Sequence, residues 1–197
     1  MNGHGTLTLI TGGARCGKST FAEELAMQRG GDMVTYIATC QPWDEEMRKR
    51  VALHRQRRPP AWKTVEEPFQ VAAVLSAVGY KSKVVLIDCL ALLISNYLTG
   101  GTLAEENFTS SQDPSLEKKG WEQVDALIST ARRTPANTIV VSNEVGWGLV
   151  PPTPLGRLYR DLLGRANCAI AANAHEVYLV AAGIPLELKS LSRCRLR

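Results

Sequence analysis

Residues 12–19 have the types and spacing of a phosphate-binding loop. They read GGARCGKS and match the pattern G-x-x-x-x-G-K-[S/T] at every fixed position. Glycines in such a loop let backbone N–H groups converge on phosphate oxygens, while the lysine reaches the β- and γ-phosphates and the last hydroxyl faces Mg²⁺. The sequence therefore predicts a nucleotide site with Lys18 as a catalytic residue and Ser19 as a metal ligand, formed by Gly12, Gly13, Ala14, Arg15, Cys16, Gly17, Lys18 and Ser19.

A carboxylate directly follows a second apolar run. KVVLI at 83–87 is followed by Asp88. In phosphate-loop proteins an acidic residue at the end of a buried strand holds the shell of Mg²⁺. The alternative is that Asp88 only caps the helix that follows. With the phosphate loop present, we expect Asp88 to be the second metal-binding residue.

A basic segment, RKRVALHRQRR at 48–58, contains His54. Its six cations in eleven residues repel one another unless an anion lies nearby, and a polyphosphate would supply that anion. The spacing of Met47, Val51 and His54 fits a helical core stripe, which is one interpretation of the histidine. The other is a nucleophile whose imidazole nitrogen attacks an α-phosphorus while the neighbouring arginines neutralise the oxyanions.

The phosphate loop does not by itself define a reaction. The sequence contains no NKxD guanine-recognition motif, which argues against a signalling GTPase, and its length favours a small-molecule kinase or transferase. A different small-molecule or nucleoside monophosphate kinase is one alternative, with Arg157, Arg160 and Arg165 as its lid arginines. A nucleotide-dependent regulatory module, in which the loop acts as a switch, is another.

The elements that must position these residues alternate along the chain. Apolar runs predict strands at 6–11, 33–38, 83–87, 138–142 and 177–181, with a short edge at 186–189. Helical patterns lie at 19–28, 45–58, 70–78, 90–98, 121–133 and 158–175, with Gly164 as a candidate break, and 99–120 and 146–156 are predicted loops. This alternation predicts an α/β fold, a mostly parallel sheet flanked by helices on both faces. Ligands bind such sheets at the carboxyl ends of the strands, so the loops there are the candidate site.

Composition limits the class of protein. The 197 residues are 45% hydrophobic and 21% charged, as in an ordinary globular chain, and we expect one domain at 1–189 with a basic tail at 190–197. Lys189, Arg193, Arg195 and Arg197 account for the whole net charge of +4, so a nucleic-acid partner is not expected. Five cysteines without metal-ligand spacing, no apolar stretch of about 18 residues and no signal peptide predict a cytoplasmic chain without a membrane span.

Taken together, the motifs resemble the bifunctional adenosylcobinamide kinase / adenosylcobinamide-phosphate guanylyltransferase family of cobalamin biosynthesis. The resemblance spans about 6–189. It is carried by TGGARCGKS at 11–19, YIAT at 36–39 with DEEM at 44–47, His54 with Arg58-Pro59, Trp62 and Glu66, Asp88-Cys89-Leu90 with Asn96, and NEVGWGLVP at 143–151.

The resemblance implies a RecA-like P-loop fold, a homotrimer, Mg²⁺, and two activities in one site. The first phosphorylates adenosylcobinamide with ATP or GTP. The second transfers GMP from GTP to adenosylcobinamide phosphate through a guanylyl-histidine at His54 and releases pyrophosphate. Cys16 stands where serine is usual, which matters little where a loop acts through its backbone, and the flat corrinoid is expected beside the loop 143–156. Besides the phosphate loop, the implied nucleotide contacts are Ala38, Thr39, Cys40, Arg55, Gln56, Arg57, Arg58, Glu66 and Asp88.

Overall fold

A single seven-stranded sheet organises the described part of the chain. The computed structural model describes residues 4–41, 58–101 and 114–194, together with residues 45, 48, 51, 52, 55 and 56. The strand order across the sheet is β3-β2-β4-β5-β1-β6-β7. The strands are β1 (Leu7–Gly12), β2 (Val34–Ala38), β3 (Lys63–Glu66), β4 (Val84–Asp88), β5 (Asn137–Val141), β6 (Glu176–Ala181) and β7 (Ile184–Glu187).

All neighbouring strands of this sheet are parallel except β6 and β7, which pair antiparallel. Parallel neighbours need long crossovers, and helices provide them. The short turn at Ala182 and Gly183 leads from β6 to β7, and both residues have positive φ angles, 50° and 81°. Among the described residues, the sheet therefore has a hairpin at its β7 edge, and its parallel strands are joined by longer connections.

Helices cover the sheet. The helices whose bounds the structure describes are α1 (Lys18–Gly30), α2 (Val71–Val78), α3 (Leu90–Thr99), α4 (Pro114–Arg133), α5 (Pro154–Asn173) and α6 (Leu188–Cys194). α1 packs against β1, β4 and β5, whereas α4 contacts α2, α3 and α5 in a second layer. All six residues of β1 are buried, as are the four aliphatic residues of β4. Strands buried on both faces need cover on both sides, which confirms the predicted α/β architecture.

Three predictions of secondary structure were wrong. Lys63–Glu66 had no predicted structure but forms the edge strand β3; it is short and polar, and it pairs parallel with β2. The stretch predicted as a loop to residue 120 becomes helical at Pro114, where proline suits the first helical turn. α5 continues through Gly164, because an exposed glycine weakens a helix by about 1 kcal/mol without breaking it.

The C-terminal region also differs from its prediction. The edge predicted at 186–189 lies earlier, as β7, and is followed by the unpredicted helix α6. Within the segment predicted as a helix at 45–58, each described residue up to Gln56 is helical, whereas Arg58 lies in a bend. Residues 58–62, which are not helical, thus lie between the described helical residues and the start of β3 at Lys63.

The parallel arrangement determines where the site must lie. β1, β2, β4 and β5 all end at the same edge of the sheet, because they run in one direction. The chain segments that follow these strands start with Gly13, Thr39, Cys89 and Ser142. The loops that the sequence singled out therefore meet above one sheet edge.

Candidate active site

The phosphate loop connects β1 to α1 as its motif predicts. Gly17, directly before α1, has a φ of 95°, and Arg15 has a φ of 56°, so the loop turns through left-handed backbone conformations. Lys18 opens the helix, and its Nζ donates a 3.0 Å hydrogen bond to the Gly13 carbonyl. The ammonium group of Lys18 is therefore folded over the loop, where phosphate oxygens would lie.

The loop is tied to the sheet on both sides. The Gly183 amide donates to the Cys16 carbonyl (2.9 Å), and the Glu144 amide donates to the Gly12 carbonyl (3.0 Å). The Cys16 Sγ lies 2.6 Å from where a Cβ on Gly12 would be. The thiol of Cys16 thus packs back against the end of β1, and the loop presents mainly its backbone, as expected for a cysteine in this position.

Asp88 ends β4, and its carboxylate is held by a tyrosine that the sequence analysis missed. The Tyr36 hydroxyl donates to Asp88 Oδ2 at 2.8 Å. Tyr36 is buried on β2, and this burial, together with the Asp88 charge, raises its pKa well above the usual value. Tyr36 therefore keeps its proton and acts as a donor to the carboxylate at neutral pH.

A cavity of about 320 Å³ lies between these elements. It brings together eight of the predicted site residues with six that were not predicted. The predicted ones are Lys18, Ser19, Ala38, Cys40, Arg55, Arg58, Glu66 and Asp88. The others are Tyr36, Val51, Thr64, Cys89, Leu92 and Asn143.

Eight predicted contacts that the structure describes do not line this cavity: the phosphate-loop residues Gly12, Gly13, Ala14, Arg15, Cys16 and Gly17, and also Thr39 and Gln56. Thr39 is fully buried: its hydroxyl accepts from the Cys89 amide and donates to the Cys89 carbonyl, both at 2.7 Å. Its own carbonyl accepts from Asn96 Nδ2 at 2.9 Å. Thr39 thus fixes the backbone beside Asp88. Gln56 is exposed and also lies off the cavity, while His54 and Arg57 are outside the described residues.

The arginines that line the cavity differ in how firmly they are held. Arg55 is exposed, and its Nη1 lies 3.9 Å from Glu66 Oε1. Arg58 is nearly buried, with its guanidinium 3.3 Å from the centre of the Tyr36 ring and its Nε 3.8 Å from Glu23 Oε1. Arg55 can therefore move to meet an incoming anion at little cost, whereas Arg58 is part of the wall.

The donor atoms in the cavity suit Mg²⁺. Among the described residues, no group of three or more His, Cys, Asp or Glu side chains could enclose a metal. Mg²⁺ does not need such a cage, since it commonly takes one or two protein ligands together with waters and substrate phosphates. Ser19 and Asp88 line the same cavity, and a hydroxyl and a carboxylate are oxygen donors, so the chemistry of the two predicted ligands fits this ion.

The thiol of Cys89, the residue after Asp88, is a weak nucleophile. Cys89 lines the cavity but is 7% exposed, and burial followed by the Asp88 charge raises its pKa to about 12. The thiolate is the nucleophilic form of cysteine, and this environment suppresses it. Cys89 is therefore a packing residue, and it does not compete with a histidine as a nucleophile.

The loop after β5 is anchored and exposes apolar side chains. Asn167 accepts from Ser142 Oγ (2.6 Å) and donates to the Asn143 carbonyl (3.0 Å), which fixes the start of the loop. Farther along, Trp147 and Leu149 are 78% and 96% exposed. The loop thus extends from the cavity wall at Asn143 to an apolar surface at its tip.

The proposed lid arginines of the alternative kinase do not reach the cavity. Arg157 donates to the carbonyls of Pro151 and Pro152, and Arg160 pairs with the adjacent Asp161. Arg165 pairs with Glu117 at 2.9 Å. Because these arginines brace α5 and its neighbours, the arrangement gives that alternative no support.

Comparison with known proteins adds the family context. Residues 8–188 match the family model described as cobinamide kinase / cobinamide phosphate guanyltransferase. The bifunctional adenosylcobalamin biosynthesis protein CobU of Escherichia coli (strain K12) is 38% identical over 189 residues, covering 93% of this chain and 99% of that protein. The bifunctional adenosylcobalamin biosynthesis protein CobP of Pseudomonas aeruginosa is 41% identical over 181 residues, covering 92% and 96%.

Among solved structures, the flagellar accessory protein FlaH from Methanocaldococcus jannaschii is similar, with a TM-score of 0.44 and 17% identity. The match covers 89% of this chain and 71% of that one. In the part of the chain that is described, no helix is long and apolar enough to cross a bilayer.

Proposed function

The chain belongs to the cobinamide kinase / cobinamide phosphate guanyltransferase family, and on this premise we propose that both reactions take place in the cavity between the phosphate loop and Asp88. The chain is then a bifunctional kinase and guanylyltransferase of cobalamin biosynthesis. The observation that carries the assignment to this cavity is its lining, which combines Lys18 and Ser19 from the phosphate loop with Asp88 and Arg55.

In the kinase reaction, the substrate is adenosylcobinamide and the donor is ATP or GTP. The hydroxyl oxygen of adenosylcobinamide attacks the γ-phosphorus of the donor. The bond from that phosphorus to the β–γ bridging oxygen breaks, and a nucleoside diphosphate leaves. The hydroxyl proton passes to water. Lys18 and the amides of the phosphate loop hold the phosphate oxygens and stabilise the charge that develops on them.

In the guanylyl transfer, we propose His54 as the nucleophile. Its imidazole nitrogen attacks the α-phosphorus of GTP, the bond to the α–β bridging oxygen breaks, and pyrophosphate leaves. A phosphate oxygen of adenosylcobinamide phosphate then attacks the same phosphorus, the P–N bond breaks, and His54 is regenerated. Val51 and Arg55, which precede and follow His54 by three residues and one residue, both line the cavity, and this supports the role, although the exposed Ala52 does not line it.

The remaining assignments concern the cation and the acceptor. Bound Mg²⁺ would neutralise charge on the phosphate chain, and Ser19 and Asp88 would hold it. We assign the acceptor to the loop that starts at Asn143, because its exposed Trp147 and Leu149 offer an apolar surface to a large flat substrate. A homotrimer and a cytoplasmic location complete the proposal, and light scattering of the purified protein would test the first.

Covalent labelling tests the guanylyl step. The protein is incubated with Mg²⁺ and GTP labelled at the α-phosphate, denatured, and examined for label that is acid-labile and base-stable. We expect label on the parent and on His4→Ala, whose exposed histidine is the matched control, but not on His54→Ala. His54→Ala should still phosphorylate adenosylcobinamide. Absence of label from a parent protein that binds GTP would overturn the histidine route.

A further inference from the structure

A chain of four side chains connects the phosphate-loop helix to the Asp88 carboxylate. Glu23 on α1 is paired with Arg58, whose Nε lies 3.8 Å from Glu23 Oε1. The Arg58 guanidinium stacks 3.3 Å over the Tyr36 ring, and the Tyr36 hydroxyl donates to Asp88 at 2.8 Å. Three of the four are nearly or fully enclosed: the side chains of Arg58 and Glu23 are 8% and 17% exposed, and Tyr36 is 3% exposed.

The β2–β4 register and the residue spacing along α1 explain why these four side chains lie next to one another. Tyr36 lies directly opposite Leu86, and Asp88 is two residues beyond Leu86 on the same strand. Tyr36 and Asp88 therefore lie on the same face of the sheet as diagonal neighbours, within reach of a long aromatic side chain. Glu23 follows Ser19 by four residues, so both lie on one face of α1.

We propose that Tyr36 is the positioning residue for the Asp88 carboxylate, and that Arg58 and Glu23 hold the Tyr36 ring in place. This rests on the proposed function, in which Asp88 and Ser19 hold the cation of the bound nucleotide. By donating to Oδ2, Tyr36 fixes the plane of the carboxylate and leaves Oδ1 for the cation shell. Hydrogen-bonded partners of metal-binding carboxylates commonly change metal affinity or activity by 10- to 100-fold when they are removed.

The role of Arg58 in this arrangement is indirect. One face of its guanidinium lies on the Tyr36 ring, and its Nε lies at ion-pair distance, 3.8 Å, from Glu23 Oε1, so its planar group is restricted from two sides. Because Glu23 shares α1 with Ser19, the same contacts tie the position of Asp88 to the helix that carries the other proposed ligand. The four side chains thus set the distance between the two groups that would share one cation.

Tyr36→Phe tests the proposal, because it removes the hydroxyl and keeps the ring under Arg58. The matched control is Tyr97→Phe, which also removes one phenolic hydrogen bond, at 3.1 Å to the Phe69 carbonyl. Binding of Mn²⁺ to the protein with GTP, followed by electron paramagnetic resonance, provides a readout that does not depend on turnover. We expect the half-saturating Mn²⁺ concentration to rise about tenfold or more for Tyr36→Phe, and to stay within about twofold for Tyr97→Phe.

A second comparison tests the support of the ring. Glu23→Gln removes the charge that faces Arg58, and Glu24→Gln removes the exposed charge of the next residue on α1. We expect weaker Mn²⁺ binding for the first only, with GTP binding in excess chelator unchanged in both. If the parent binds Mn²⁺ with GTP and Tyr36→Phe does so equally well, the positioning role is overturned and the proposed function stands. If the parent protein binds no Mn²⁺ with GTP, the proposed site itself is overturned.

Discussion

Replacing Gly12 with alanine tests how the phosphate loop is anchored to the sheet. A Cβ at this position would lie 2.5 Å from the Val180 carbonyl oxygen and 2.6 Å from Cys16 Sγ. Gly12 pairs with Val180 in the β1–β6 register, and its own carbonyl accepts from the Glu144 amide. The new methyl group therefore meets hydrogen-bonded backbone on one side and the loop on the other, so neither neighbour can retreat without losing contacts.

The size of the effect follows from these distances. Carbon and its neighbours pack at about 3.5 Å or more, so relief of the contact with Val180 requires a shift of roughly 1 Å. Overpacking of this kind costs about 1–3 kcal/mol of unfolding free energy. In a chain of this size each kcal/mol lowers Tm by about 2–4 °C, so we expect Gly12→Ala to lose about 2–12 °C. A comparable shift of the loop would lower the rate of phosphoryl transfer by about 10²-fold.

Gly13→Ala is the control within the same loop. A Cβ on Gly13 would meet nothing within 4 Å, so its unfolding free energy should stay within about 0.5 kcal/mol of the parent. Thermal unfolding is measured without nucleotide, because the methyl group on Gly13 could then touch no phosphate. Adding Cys16→Ala to Gly12→Ala removes the sulfur contact and should recover only part of the loss. Equal Tm values for Gly12→Ala and Gly13→Ala would refute the reasoning.

Two further predictions concern charged groups away from the cavity. Arg29→Met breaks a half-buried ion pair with Glu176 (2.5 Å), and we expect it to lower the unfolding free energy measured in urea by about 1.5–3 kcal/mol. Arg48→Met breaks an exposed pair and should lower it by less than about 0.5 kcal/mol. Equal losses in the two variants would contradict this prediction. Desolvation raises the pKa of Glu187, but hydrogen bonds from Ser190 and from backbone amides outweigh it and lower that pKa to about 2. The parent should therefore be more stable than Glu187→Gln, with the full difference in unfolding free energy above pH 4.5. This difference should disappear as the pH falls toward 2.

The local sequence pattern was sufficient to predict the elements that are buried and regular. The apolar runs at β1, β4 and β5 and the phosphate loop between β1 and α1 were predicted within a residue or two, because two-sided burial demands continuous aliphatic residues. β3 was missed because its residues, KTVE, are polar and partly exposed at the sheet edge. Only pairing with β2 makes it a strand, and pairing is not a local property.

The site shows the same division between local and non-local information. Lys18, Ser19 and Asp88 belong to motifs and were predicted to share a site, which the lining of one cavity agrees with. Tyr36 was missed as a site residue, since a tyrosine in a strand looks like ordinary core. A register argument could have found it, because a residue two positions before the partner of Asp88 shares its face. That argument needs β2 and β4 to be known as neighbours, which the chain order does not reveal.

The sheet order suggests how two reactions can share one site. β5 lies between β1 and β4, so the backbones of the strands that lead into the phosphate loop and end at Asp88 are two strand spacings, roughly 10 Å, apart. In the proposed reactions, a phosphate chain with its cation would lie between these strand ends and stay fixed while attack occurs at either end, by the acceptor hydroxyl at the γ-phosphorus or by His54 at the α-phosphorus. Loss of a group that holds the phosphate chain should then reduce both activities together. Loss of His54 should abolish guanylyl transfer alone, which is why retained kinase activity in His54→Ala is as informative as its missing label.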